Sequence, residues 1–293
     1  MRYCIHHSTH YTYSQPVFLQ HHVLRLRPRS DGTQTLHRFE VQVEPEPQLQ
    51  STVVDLEGNT VVGLWFPNTS TSYLTIKTCA EVETHRTNPF NYFTLGWANQ
   101  LPIDYPVSLA ASLQPYLGHP QLSLSGGVVD FAQGLLHEVD NRLGDFLTAL
   151  TQRIYNDCTY MTRHEGAPFP PGLTWQTKQG SCRDFVVLFI AACQAVGVAA
   201  RFVSGYQEGD PNQSAHDLHA WAEVYIPGGG WRGFDPTHGL AVSDRHIAVA
   251  TAPHPAQAAP VTGTLREGSP AQATLTGQIH ISALSESAEA PSA

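Results

Sequence analysis

The sequence predicts an α+β protein, a β-rich N-terminal domain followed by a mixed core, and three observations carry that reading. The first 85 or so residues hold short runs rich in aromatic and β-branched side chains, alternating in polarity and separated by turn residues. Apolar residues recur at three-and-four spacing between about 128 and 160, and again after Ser181. A glycine-rich turn, "PGGG", then joins two further alternating runs.

Taken in order, "YTYSQPVFLQHHVLRLRP" reads as a strand ending at proline. "HRFEVQVEPEP" alternates Phe39, Val41 and Val43 against Glu40, Gln42 and Glu44, and "SYLTIKTCAEVET" alternates through Leu74, Ile76 and Thr78. Between them, "STVVDLEGNTVVGLWFP" sets the turn "EGN" between two apolar runs, the pattern of a hairpin. Residues 1–85 are therefore expected to form a β-sandwich or half-barrel. Residues 86–127, dense in proline, glycine and asparagine, are expected to be a connector packed on the surface. The core domain is expected over 128–293. It opens with two helices in "VVDFAQGLLHEV" and "LGDFLTALTQRIYNDCTY", the second burying Phe146, Leu147, Leu150 and Ile154. Short strands such as "GQIHIS" follow residue 250, and a disordered tail is expected from about 283.

With 293 residues, 41% of them hydrophobic, the chain can bury a substantial core. Its formal net charge of -9 argues against nucleic acid as a partner, since a phosphate backbone calls for a basic face. The N-terminal stretch lacks an apolar signal region, and no run approaches the length of a membrane span. Five cysteines, an odd number without framework spacing, fit reduced thiols. Together these features predict a cytoplasmic protein that binds no membrane.

Chemistry concentrates in "GSCRDFVVLFIAACQAVGVAARFVSGY". Phe185, Phe189 and Val196 recur with Val186, Ile190 and Cys193 alongside, a helical stripe buried on most sides that stops at Gly197. Ser181 followed by Asp184 matches a capping pattern, which makes Ser181 the N-cap and Cys182 the first helical residue. There a thiolate faces unsatisfied amides and the positive end of the helix dipole, whereas Cys193 is a packing residue. A cysteine at a helix start is, taken alone, usually structural; a nucleophile needs a base.

"HAWAEVYIPGGGWRGFDPTHG" supplies one. His219, Trp221, Glu223 and Tyr225 share one strand face, opposite Ala220, Ala222, Val224 and Ile226. A four-residue loop pairing Ile226 with Trp231 would place His219 and Asp235 on opposite faces. An odd-membered loop, pairing Ile226 with Gly230, puts them on one face two positions apart, so an odd loop or bulge is expected near Gly228 to Gly230. Cys182, His219 and Asp235 then form a nucleophile, a base and an orienter. Core packing of His219 and a turn role for Asp235 are the plainer readings of each residue alone; the order and placement of all three favour the combined one.

These stretches, with Arg201, Gly205-Tyr206, His219-Ala220-Trp221 and Asp235-Pro236-Thr237, resemble the core of the bacterial transglutaminase-like superfamily, related to papain-type cysteine enzymes. "YTYSQPV" and "LRLRP" resemble the β-rich domain that precedes that core in one bacterial branch. The resemblance implies a helix bearing the cysteine packed on an antiparallel sheet, with Cys182, His219 and Asp235 catalytic. It implies attack on a peptide or carboxamide carbonyl through a thioester, released by water (protease or amidase) or by an amine (transglutaminase). Protein or peptide substrates are expected and no cofactor. The oxyanion would be held by the Cys182 N–H and a side-chain donor, Gln176 at the papain-type offset or the indole of Trp175. An inactive interaction module with the same fold is the alternative. Cys182, His219 and Asp235 with His216 or His238 could also suggest a metal site, but no paired Cys-x-x-Cys or H-E-x-x-H accompanies them, and no metal is expected. No aspartate-rich calcium loop is visible. Asp184 reads as a cap, Arg183 as solvent-facing, and Trp221, Trp231 and Tyr206 as core.

Overall fold

The computed structural model describes residues 1–118, 126–163, 166–209, 218–266 and 271–284. The expected α+β architecture is present. The N-terminal strands are β1 (Arg2–Leu24), β2 (Gln34–Glu44), β3 (Leu49–Val54), β4 (Thr60–Trp65) and β5 (Ser70–Thr84). After them come α1 (Val107–Leu113), α2 (Gly126–Glu138), α3 (Leu143–Asp157), β6 (Thr159–Tyr160), α4 (Pro171–Thr177), β7 (Gln179–Gly180) and α5 (Cys182–Ala195). The chain continues through β8 (Ala200–Gln207), β9 (His219–Ile226), β10 (Gly230–Asp235), β11 (Leu240–Ala241), β12 (His246–Ala252), β13 (Val261–Leu265) and β14 (Ala273–Ala283).

β1 is the spine of the N-terminal sheet. Its first half pairs antiparallel with β5 on one side and β14 on the other; its second half pairs with β4 and β13. Irregular pairing between Thr12 and Val17, and between Leu19 and His22, marks the change of partners. The sheet curls over a core that includes Tyr13, Val17, Leu24, Leu64, Leu74 and Ile76. β3 and β4 form the expected hairpin, with Gly58 at φ +76° in its turn.

Three expectations are corrected. Residues 2–10, not read as a strand, belong to β1: its inward positions include polar His7 and Thr9, which mask the apolar alternation. They are satisfied internally, Thr9 Oγ1 to His7 Nε2 at 3.0 Å and His7 Nδ1 to Tyr206 Oη at 3.0 Å. β13 and β14, expected in the core domain, instead pair with β1, where Ile279 and Ile281 of β14 join the same cluster as Tyr3 and Ile5. The connector is not confined to the surface: Ala98, Leu101 and Ile103 are buried in the main core, and Leu113 is buried as well. The tail beyond 284 lies outside the described residues.

In the core domain α5 is central. It packs against α2, α3 and α4 on one side and against β8 and β9 on the other. The two helices expected before it are present, and Phe146, Leu147, Leu150 and Ile154 are buried as the spacing required. α5 stops where glycine allows it, Gly197 standing at φ +76°. Its sheet runs β11-β10-β9-β8-β12, all pairs antiparallel. No helix among the described residues is long and apolar enough to cross a membrane.

β12 is an edge strand, and two amides from the N-terminal sheet cover its free edge. Gln34 gives Nε2 to the Ala248 carbonyl at 2.9 Å and takes the Ala248 N–H on Oε1 at 2.8 Å. Asn59 does the same at Thr251, with Nδ2 to the carbonyl at 2.8 Å and the N–H on Oδ1 at 2.9 Å. Each side chain stands in for a strand residue and satisfies two backbone groups of β12, the Ala248 carbonyl sharing its acceptance with the Arg29 N–H at 2.9 Å. Gln34→Ala and Asn59→Ala should each lower unfolding free energy by about 1–3 kcal/mol, read from urea denaturation midpoints at unchanged slope.

Candidate active site

Cys182 opens α5, and its position is fixed from below by Asp184. The Asp184 carboxylate is fully buried. It accepts from the Ser181 N–H and Ser181 hydroxyl at 2.7 Å each, from the Phe169 N–H at 2.7 Å, and from Arg163 Nη1 at 2.7 and 2.8 Å. Burial alone would raise its pKa; Arg163 and these donors overcome that and hold it below the usual carboxylate range. Asp184 is therefore a cap, as expected, and also the anchor that ties the start of α5 to the loop before α4. Arg183 is not simply solvent-facing: its Nη2 donates to the Arg163 carbonyl at 3.0 Å. Gly180 sits directly beneath, where an added Cβ would meet the Asp184 Cβ at 2.7 Å.

His219 and Asp235 come together through the register of one hairpin. Gly230 pairs with Ile226 and Trp231 with Tyr225, so the loop 227–229 is odd-membered, with Gly228 at φ +89° and Gly230 at φ +70°. His219 Nε2 donates to Asp235 Oδ2 at 2.7 Å. With Nε2 committed to Asp235, Nδ1 is the nitrogen left for Cys182, whose neighbouring thiol also favours the charged ring.

Asp235 is wholly buried and carries more than one partner. Its Oδ2 also accepts from His238 Nδ1 at 2.8 Å and His246 Nε2 at 3.1 Å, while Oδ1 accepts the N–H groups of Thr237 and His238 at 2.9 and 3.3 Å. Burial opposes its charge, but His219 and the other donors keep its pKa well below the ordinary value. Burial likewise opposes charge on His219, yet the Asp235 carboxylate, followed by Cys182, raises its pKa to about 10, so the ring is an imidazolium at neutral pH. Burial lowers the pKa of His246, and its Nδ1 is buried with no partner among the described residues. His246 is therefore the neutral Nε2–H tautomer. Its role was missed in the sequence, where nothing local links it to Asp235.

The three-residue set His219, Asp235 and His238 offers ligand atoms within 4.8 Å of one another. The separations of 2.7 and 2.8 Å are those of hydrogen bonds, whereas two ligands on a tetrahedral zinc stand about 3.3 Å apart. Cys182 is not in the set, and His216, the other histidine considered, lies outside the described residues. Gln176 is exposed on α4, and Trp175 stacks on Phe131 with ring centroids 3.7 Å apart. Trp221 and Tyr206 are buried. Trp231 is held between Tyr116, Tyr225 and the Arg201 guanidinium, the last 4.1 Å from its ring. All three are packing residues. Gly205, opposite His219 on β8, lets the Trp221 ring lie flat across the strand: a Cβ there would meet it at 2.5 Å.

Residues 3–83 match the model of the bacterial transglutaminase-like N-terminal region, and residues 129–236 match that of the transglutaminase-like superfamily. The chain is a transglutaminase-like protein. An uncharacterized Mycobacterium tuberculosis protein is 28% identical over 279 residues, covering 90% of this chain and 87% of its own. A Pseudomonas aeruginosa protein-glutamine gamma-glutamyltransferase is 32% identical over 83 residues, 26% of this chain and 12% of its own. Among solved structures, a "Putative Cysteine Protease" from Cytophaga hutchinsonii superposes with a TM-score of 0.73 over 96% of this chain and 90% of its own, at 22% identity. That likeness shows the fold, N-terminal sheet included.

Two outcomes follow from this transglutaminase-like site. Asp184→Ala leaves Arg163 unpaired and should destabilise the protein by about 3 kcal/mol, read by urea unfolding. A raised His219 pKa stabilises the fold fully below about pH 6.5, and that contribution fades as pH rises towards about 10. The melting temperature of wild type relative to His219→Ala should therefore be greatest between about pH 4 and 6.5 and shrink by pH 10. A constant difference would mean that the imidazolium does not form.

Proposed function

We propose that this protein is a cysteine-nucleophile enzyme that acts on peptide or carboxamide carbonyls of protein or peptide substrates. The observation that carries the reading is His219, bonded at 2.7 Å to a buried carboxylate and held charged by it and by the neighbouring Cys182, the residue that opens α5 at the positive end of the helix. In this scheme Cys182 Sγ attacks the carbonyl carbon, and the developing oxyanion is held by the Cys182 N–H and a donor from α4, Gln176 or Trp175. The His219 imidazolium delivers its Nδ1 proton to the departing nitrogen, leaving a thioester. Water, deprotonated by His219, then releases the acid; an amine in its place gives transfer. Asp235 keeps the ring oriented and stabilises its charge. Hydrolysis is the default, because water is always present. The names of the Pseudomonas and Cytophaga relatives point to the same acyl chemistry.

The test is a glutamine-containing protein substrate assayed in parallel for backbone cleavage, ammonia release and incorporation of a fluorescent amine. Wild type should give at least one of these. Cys182→Ala and His219→Ala should each lose about 10³-fold or more, and Asp235→Asn about 10²- to 10⁴-fold, with the fold retained by circular dichroism. Turnover that survives Cys182→Ala would sink the proposal. So would the absence of all three reactions together with iodoacetamide labelling of Cys182 that is no faster in wild type than in His219→Ala; the inactive-module reading would then take its place.

A further inference from the structure

The outer face of the N-terminal sheet carries a second cluster of nucleophilic and ligating side chains, remote from the hairpin. Two neighbouring cross-strand pairs of β1 and β5, Cys4 with Glu81 and His6 with Cys79, form a square on that face. Cys4 Sγ, one ring nitrogen of His6 and Cys79 Sγ all lie within 4.8 Å of one another, and Cys4 Sγ stands 3.4 Å from His6 Nε2. Glu81, the fourth corner, lies outside that three-residue set, its carboxylate turned to an exposed ion pair with Arg2 Nη2 at 3.2 Å, and must leave it to become the fourth ligand. Such a pair contributes little and is readily given up.

We propose that Cys4, His6, Cys79 and Glu81 form a tetrahedral site for a borderline-soft divalent cation, zinc in the first instance. Zinc–sulfur bonds of about 2.3 Å and zinc–nitrogen bonds of about 2.0–2.1 Å put sulfur and nitrogen about 3.6 Å apart on a tetrahedron. The Cys4–His6 separation is already within a few tenths of that value. Two thiolates and an imidazole exclude hard cations such as magnesium and calcium. Adjacent strand pairing preforms the square, because directly opposed residues hold their Cβ atoms about 4.5–5.5 Å apart. Two thiolates and a carboxylate around a divalent ion leave one net negative charge, with Arg2 beside it. Cys4 and Cys79 are far apart in sequence, so no Cys-x-x-Cys spacing announces the site; the β1–β5 register creates it.

The same 3.4 Å also suits a thiol–imidazole hydrogen bond, and the two sulfurs also suit a disulfide, so the test must separate all three. The full chain, reduced and stripped of metal under anaerobic conditions, is titrated with Co²⁺ as the probe. The site should yield tetrahedral d–d bands and sulfur-to-cobalt charge transfer that saturate at one equivalent and are displaced by Zn²⁺. Cys4→Ser and Cys79→Ser should each cut the charge-transfer intensity by at least half. Glu81→Gln should weaken binding about tenfold or more while keeping the charge-transfer band. Cys182→Ser should leave the spectrum unchanged, which separates this site from the hairpin site. Reduced wild type without charge transfer overturns the proposal, as does a signal undiminished in Cys79→Ser or lost in Cys182→Ser. A Cys4–Cys79 disulfide in air-isolated protein, with no cobalt spectrum after reduction, also overturns it and makes the pair a redox bridge.

Discussion

A carboxylate with no solvent exposure is the constraint on which the core domain turns. Removing Asp235 from water costs several kcal/mol unless its charge is matched and its lone pairs are filled. Five donors meet it: three imidazole nitrogens on Oδ2 and two backbone N–H groups on Oδ1. They come from the start of β9, the turn after β10 and the first residue of β12. To satisfy one anion, the hairpin must close with an odd loop and β12 must bring His246 to the sheet edge. The anion in turn holds His219 charged and oriented.

The other half of the site rests on a second buried carboxylate. Asp184 fixes the first turn of α5 to Ser181, Phe169 and Arg163, which leaves Cys182 no freedom to drift from His219. The apolar stripe of α5 does the remaining positioning, because Phe189 stacks on Phe234 with ring centroids 5.9 Å apart and locks the helix to β10. Cys182 and His219 therefore lie on rigid elements, each pinned by its own buried anion.

The N-terminal sheet does more than precede the core. Gln34 and Asn59 complete the edge of β12, the strand that carries His246, while Tyr3, Ile5, Ile279 and Ile281 share an apolar cluster with Tyr206 and Ile247. β14 is drawn from the far end of the chain into the sheet of β1. The first and last of the described strands thereby share one sheet, and that sheet buttresses the edge of the strand array behind the site.

What the sequence determined by itself was local. The N-cap at Ser181, the stripe of α5 and the glycine stop are each set within about ten residues by capping, periodicity and turn chemistry, and each was legible; the glycine run allowed an odd hairpin loop, and the pairing of His219 with Asp235 selected it. The juxtaposition of Cys182, His219 and Asp235 could be inferred because a helix start and a hairpin leave few ways to combine. Other features were decided only by the tertiary structure. Polar His7 and Thr9 hide in the inward row of β1 because Tyr206 waits for them across the interface. β13 and β14 choose the N-terminal sheet because β1 offered them an edge, and the isoleucines of β14 fit its cluster. Arg163 finds Asp184, His246 finds Asp235, and Cys4 finds Cys79 through burial and strand register. Those contacts join segments many residues apart, and their free energy exists only once the chain has already brought the segments together.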